Sequence, residues 1–334
     1  MKLTIVIDQP TQATLASLPV PGLQRLLGIG KQSRVDDASD ALLCQAVSIE
    51  KQADWPVAAI SCLGENNLLE VGAGYWFNVD FVHFVLQRDY FTLADILPLD
   101  IGETADLLAS LNRHFAEDGL EFIQGERSGQ CYLRLKSDPE ISTTQPQQVI
   151  GLETTSYMPL GAGAAKWNRL LNEMQMLMFE HPVNESREQR GELAANSIWL
   201  SGGGVLPRLA DAQYSERLLI LGETPLARGL NLLGQQAGIP VPSQGMPANA
   251  KQLFSYDADS LWLIMQNKDM EIENAEGAWF APLLHALKQR KLMHLTLLFE
   301  QPGHLVKLQV SPCDTWKFWR KSLPLAGLLP QFHH

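Results

Sequence analysis

The sequence is poor in cysteine, poor in charge and free of long apolar runs, and each shortage excludes something. Four cysteines in 334 residues, Cys44, Cys62, Cys131 and Cys313, stand far apart with no CxxC pair. That spacing rules out a disulfide-stapled mini-fold, a zinc knuckle and a local redox motif, and it fits reduced thiols in a cytoplasm. No stretch approaches the roughly 20 apolar residues that cross a bilayer. The apolar run at 3–7, ahead of Asp8, is too short for the core of a secretory leader, so a soluble cytoplasmic protein is expected. Lys and Arg number 26 against 37 Asp and Glu, a formal charge of −11, which opposes both nucleic acid and anionic membranes as partners. No Walker A run, G-x-S-x-G elbow or H-E-x-x-H helix occurs. Gly28-Ile29-Gly30 lacks the third glycine of a dinucleotide fingerprint, and Gly161-Ala162-Gly163 has Lys166 in its place, so both read as turns.

What is present is a chain 46% hydrophobic, long enough for one large α/β unit or a core with an insertion. Short apolar runs bounded by breakers recur at 3–7, 197–200, 218–221, 261–265 and 295–299, the pattern of buried parallel strands. Helices alternate with them. Thr224-Pro225 starts one through Leu226, Leu230 and Leu233, and another follows at 279–290. The expected fold is therefore α/β, a doubly wound and largely parallel sheet, over 1–74 and 158–330. Between 75 and 157 the pattern changes to strands at 82–86 and 132–136 around a helix at 103–117, with Leu107, Leu108, Leu111 and Phe115 on one face. An inserted α+β domain is expected there. A further helix at 166–180 carries Trp167, Leu170, Leu171, Met174, Leu177 and Met178 on one stripe and stops at His181-Pro182.

The most informative stretch runs from Asn172 through His181-Pro182-Val183-Asn184, Arg187, Arg190 and Asn196 to the apolar strand and Gly202-Gly203-Gly204. Arg187 and Arg190 offer forked donors suited to a phosphate or carboxylate. Asn184 and Asn196 offer amides, and Gly202, Gly203 and Gly204 can turn backbone N–H groups toward an anion. Structural roles fit the same residues: Arg187 pairing with a nearby Glu, Asn196 bracing a turn, three glycines forming a strand exit. The histidines His83, His114, His181, His285, His294 and His304 are isolated and read as hydrogen-bonded structure. Ser39, between Asp37 and Asp40, is the one early serine flanked by acids.

This block, N-E-(x)n-H-P-V-N-x-x-R-x-x-x-G-x-x-x-A-N followed by an apolar strand and a glycine turn, resembles the archaeal-type cofactor-independent phosphoglycerate mutases of the alkaline phosphatase superfamily. It is more similar still to a bacterial offshoot, the phosphoglycerate-mutase-like regulatory proteins of the RpfE type. Leu18-Pro19-Val20-Pro21-Gly22, Asp54-Trp55-Pro56-Val57, Tyr75-Trp76, Val79-Asp80-Phe81-Val82-His83 and Leu111-Asn112-Arg113-His114-Phe115 carry the same resemblance, which covers about residues 1–204. It implies a superfamily core with an insertion and, in active members, two divalent metals beside a serine nucleophile. This chain departs from that pattern. Asp8 is retained, but Pro10 and Thr11 occupy the place of the next acid. The stretch from Gln266 to Glu273 offers Asp269 without a histidine. Leu297-Leu298-Phe299-Glu300-Gln301-Pro302 stands where an Asp-His pair after a late strand is expected, with His304 displaced, and Ser201 replaces the arginine before the glycine turn.

The resulting expectation is a catalytically degenerate member with a regulatory role, binding a small anion or a protein partner and needing no cofactor. The anion site would consist of Asn184, Arg187, Asn196, Gly202, Gly203 and Gly204. One alternative is an active phosphoglycerate mutase or phosphatase holding two Mn or Mg ions on Asp8, Asp269 and Glu273, with Arg187 on the substrate phosphate. A second is a structural adaptor that works through the inserted domain.

Overall fold

Short apolar runs punctuated by polar loops become strands, and the amphipathic stripes between them become helices. The computed structural model describes residues 1–7, 20–65, 74–208, 217–236, 246–265, 275–301 and 303–323. The strands among them are β1 Lys2–Ile7, β2 Lys31–Val35, β3 Tyr75–Leu86, β4 Phe91–Ile96, β5 Glu121–Gln124, β6 Cys131–Leu135, β7 Ser197–Gly204, β8 Leu218–Leu221, β9 Ser260–Met265, β10 His294–Gln301 and β11 His304–Val310. They form two sheets, one in each of two compact units. No helix among the described residues is long and apolar enough to cross a membrane.

The first unit comprises Met1–Leu43, Ala210–Glu223 and Gly234–His334. Its sheet has the order β2-β11-β10-β1-β9-β8, with β10, β1, β9 and β8 parallel and the β11 and β2 edge antiparallel. Alternate residues Leu3, Ile5 and Ile7 of β1 pack with Leu261, Leu263, Leu295 and Leu297 from its neighbours. Leu23, Leu26 and Leu27 of the helix Pro21–Ile29 and Trp279, Phe280 and Leu283 join the same core. The α/β class and the largely parallel sheet expected from the sequence are both present. Thr224 caps the helix Pro225–Gln236 through its side-chain oxygen, as the Thr-Pro pair suggested.

The second unit comprises Cys44–Leu209 and Thr224–Leu233 and is wider than the 75–157 segment read as an insertion. Its antiparallel sheet runs β4-β3-β6-β5, with β7 also on β3. The helix Ile101–His114 brings Leu107, Leu108 and Leu111, and the helix Ala164–Phe179 brings Trp167, Leu170, Met174 and Met178, to one core with Phe77, Val79 and Leu133. One expectation is corrected here. The run at 197–200 is not a strand of the parallel sheet but belongs to β7, antiparallel to β3, with Asp80 opposite Trp199 and Val79 opposite Leu200. A strand buried along its whole length reads as a continuous apolar run in either kind of sheet, so the run itself does not choose the partner.

The glycines at the end of β7 are held by packing. Gly202 takes a φ of +65°, which side chains with a Cβ rarely adopt, and a Cβ on Gly203 would lie 2.4 Å from a ring carbon of the buried Phe77. Gly203→Ala is expected to lower stability by about 1–3 kcal/mol through overpacking. The measurement is the urea midpoint at constant slope, and an unchanged midpoint would mean the ring moves aside at no cost.

Candidate functional site

Between the helix Ala164–Phe179 and β7 the chain makes a polar reversal, and its side chains are spent on holding that reversal. His181 ends the first helix and caps the next, Pro182–Gln189: its Nδ1 accepts from the Val183 N–H at 3.3 Å, and its Nε2 lies 2.9 Å from Ser110 Oγ. An accepting Nδ1 places the ring proton on Nε2, which donates to Ser110. Asn184 is buried and closes the loop on itself. Its amide donates to the carbonyls of Met178 (2.7 Å) and Ala195 (2.9 Å), and its oxygen accepts from the Ala195 N–H at 2.7 Å. Asn196 does for β3 what one more strand residue would do, accepting from the Phe84 N–H at 2.7 Å and donating to the Phe84 carbonyl at 2.8 Å.

Arg187 is also buried. Its Nε donates to the Leu193 carbonyl at 2.8 Å and an Nη donates to Glu103 Oε2 at 2.6 Å, with Glu192 at 3.5 Å. Arg190 pairs with the other oxygen of Glu103 and with Glu192 at 2.8 Å. Glu103 in turn completes a capping box with Asp100 at the start of the helix Ile101–His114. The glutamate partner that the sequence left open for Arg187 is therefore present, 84 residues away in the chain. The donors read as an anion site meet protein acceptors instead. Asn184, Arg187 and Asn196 share one loop, but each points at its own structural partner.

The glycine turn has a counter-charge of its own. The buried Asp54 accepts from the Thr143 N–H at 2.9 Å and from the Thr143 hydroxyl, and the Gly203 N–H reaches it at 3.4 Å. Burial raises the Asp54 carboxyl above the usual range, with the Thr143 donors pulling the other way. Tyr75 is buried nearby, and its hydroxyl is pushed up by burial and by the Asp54 charge. The Tyr75 hydroxyl, Asn78 Oδ1 and Ser201 Oγ have no hydrogen-bond partner among the described residues. An N–H that faces a carboxylate offers a poor cradle for a second anion. Asp54 and Glu103 were not singled out from the sequence as site residues. Asp54 stands in the quoted Asp54-Trp55-Pro56-Val57, and Asp100-x-x-Glu103 is a readable helix start, but neither pattern names its distant partner.

Asp8, Asp269 and Glu273, the residues of the alternative metal site, lie outside the described residues, as does Gln266. Among the described residues no group of three His, Cys, Asp or Glu side chains converges to fit a metal. Ser39 opens the helix Ser39–Ala46 and its hydroxyl donates to Glu300. His83 Nδ1 lies 2.7 Å from the Ala194 carbonyl, a structural contact as its isolation suggested.

No protein-family model matches the chain. Its curated relatives are 2,3-bisphosphoglycerate-independent phosphoglycerate mutases. It is 25% identical over 177 residues to the probable enzyme of that name from Geobacter sulfurreducens, covering 49% of this chain and 42% of that protein. It is 30% identical over 105 residues to the Methanosarcina acetivorans protein, 31% of this chain and 26% of that one. It is 23% identical over 181 residues to the Methanosarcina barkeri protein, 52% and 44%. These matches take in less than half of each relative's own length. Among solved structures, the cofactor-independent phosphoglycerate mutase of Thermoplasma acidophilum overlays with a TM-score of 0.41 at 14% identity over 93% of this chain and 90% of that one, which adds nothing to the sequence match. The chain is thus similar to the cofactor-independent phosphoglycerate mutases over about half of its sequence.

Two outcomes follow from the loop geometry. Arg187→Ala is expected to destabilise the protein by about 1.5–3 kcal/mol, because it removes a buried charge-assisted hydrogen bond and leaves the nearly buried Glu103 carboxylate to Arg190 and the Asp100 N–H. Its melting temperature should fall equally with and without millimolar 3-phosphoglycerate. A ligand-dependent gap between wild type and variant would restore Arg187 as an anion ligand. His181 is held below its ordinary value of 6.5 by burial, with Asp106 opposing. A base depressed in this way supplies stability that is present above its unfolded value and lost as the pH falls through that value toward the folded one. Between pH 7.5 and 5.5 the wild type should therefore lose more stability than His181→Asn, which keeps a capping acceptor but cannot titrate. Parallel losses would remove His181 from the acid response.

Proposed function

We propose that this chain is a catalytically degenerate relative of the phosphoglycerate mutases, of the RpfE regulatory type, which works by binding and not by turnover. The observation that carries this reading is the commitment of Arg187. A guanidinium that donates to Leu193 and Glu103 and is buried between them has no free fork for a substrate phosphate. The Asp54 carboxylate beside the Gly203 N–H supports the same reading, since it repels an incoming phosphoryl group. Ser201 in place of arginine removes a further cation from the turn. None of the four cysteines forms a disulfide, and Cys62 and Cys131 are pushed up to about 12 by burial, which leaves those two as inert thiols suited to a reducing bacterial cytoplasm.

The test is a coupled assay for interconversion of 2- and 3-phosphoglycerate with the whole protein, with and without added manganese or magnesium, alongside elemental analysis. No turnover above background and no retained metal after dialysis are expected. Metal-dependent turnover that Asp8→Ala abolishes would establish the active enzyme in its place.

A further inference from the structure

Among the described residues, β3 is the only strand that pairs with β7. Val79 and Val82 of β3 each have a second partner, Cys131 of β6 and Ile96 of β4, so β6 and β4 occupy the opposite side of β3. The outer edge of β7 is left without a strand among the described residues. A cavity of ≈190 Å³ lies beside it, closed by the helix Ala164–Phe179 and the 143–159 segment. Residues 197–200 all line this cavity. Successive strand residues point to opposite faces, so four in a row line a cavity only when it runs along the backbone edge. Edge N–H and C=O groups are therefore presented to it, in the manner used for strand addition.

The remaining wall selects the occupant. Phe84, Tyr157 and Trp199 supply rings, with Phe84 and Trp199 edge to face at a centroid distance of 6.2 Å. The Trp199 Nε1–H is already used, donating to the Thr144 carbonyl at 2.7 Å. Asn172 and Gln175 bring side-chain amides from the helix. Among the described residues no Lys, Arg, His, Asp or Glu lines the cavity, so none of them would neutralise a phosphate or carboxylate there. The volume accepts one ring with a short substituent and is too small for an extended peptide of several residues.

We propose that this cavity is a binding site for a small uncharged ring compound bearing an amide or lactam edge. The ring packs on Phe84, Tyr157 and Trp199 while the polar edge pairs with the β7 backbone. The inference stands apart from the question of phosphoglycerate turnover, because none of the residues assigned to that chemistry lines the cavity.

Benzamide is the probe and benzoate its charged match, each read at millimolar concentration by saturation-transfer NMR on the full chain and by titration. Benzamide should show saturation transfer and benzoate should not. Thr155→Trp, at an exposed position on the wall, should fill the cavity and weaken benzamide binding by at least about tenfold while leaving the fold intact. Gln175→Trp is the second filling variant if the first does not fold. The proposal is overturned if benzamide gives no transfer, if benzoate equals it, or if binding persists unchanged in a folded filling variant.

Discussion

Arg187 and Glu103 together determine where the polar reversal of the second unit sits. Glu103 belongs to the capping box of the helix Ile101–His114, and Arg187 to the short helix that follows His181, so one contact fixes a helix start and a loop against each other. Desolvating both charges is expensive, and such a pair is worth less as net stability than its removal costs. Its effect is to specify geometry. With Arg187 placed, its Nε holds Leu193, Asn184 closes on Ala195 two residues later, and Asn196 meets Phe84, so β7 enters beside β3 in one register.

The parts of this fold that were legible in the sequence are those set by local pattern. The stripe from Trp167 to Met178 made its helix, the alternating Leu3, Ile5 and Ile7 made a central strand, and Thr224-Pro225 started a helix where it should. What was illegible is pairing across distance. The Ile198 to Leu200 run carries no mark of its antiparallel neighbour more than a hundred residues earlier, and Arg187 carries none of Glu103. Asp54 was hidden for the same reason. A lone acid before Trp-Pro looks like a loop residue until Thr143 and Gly203 arrive from other segments to meet it.

The candidate site was legible as a set of residue types and not as a set of directions. Guanidinium, amide and glycine N–H groups are the tools of anion recognition, and they serve equally well for tying a chain reversal together. Which use prevails depends on whether internal acceptors reach them first. Here the carbonyls of Met178, Leu193 and Ala195 and the carboxylates of Glu103 and Asp54 do so.

The glycine run at the end of β7 bears on how such a chain ages. At Gly202 the left-handed backbone strains any residue with a Cβ, and a Cβ on Gly203 or Gly204 would lie 2.4 Å from the Phe77 ring or 2.7 Å from the Pro56 ring, so each replacement costs stability. Selection for folding alone is enough to purge replacements at three successive positions, whatever becomes of the chemistry nearby. Steric fit alone is therefore enough to keep this glycine run in place, and the run by itself carries no information about present activity.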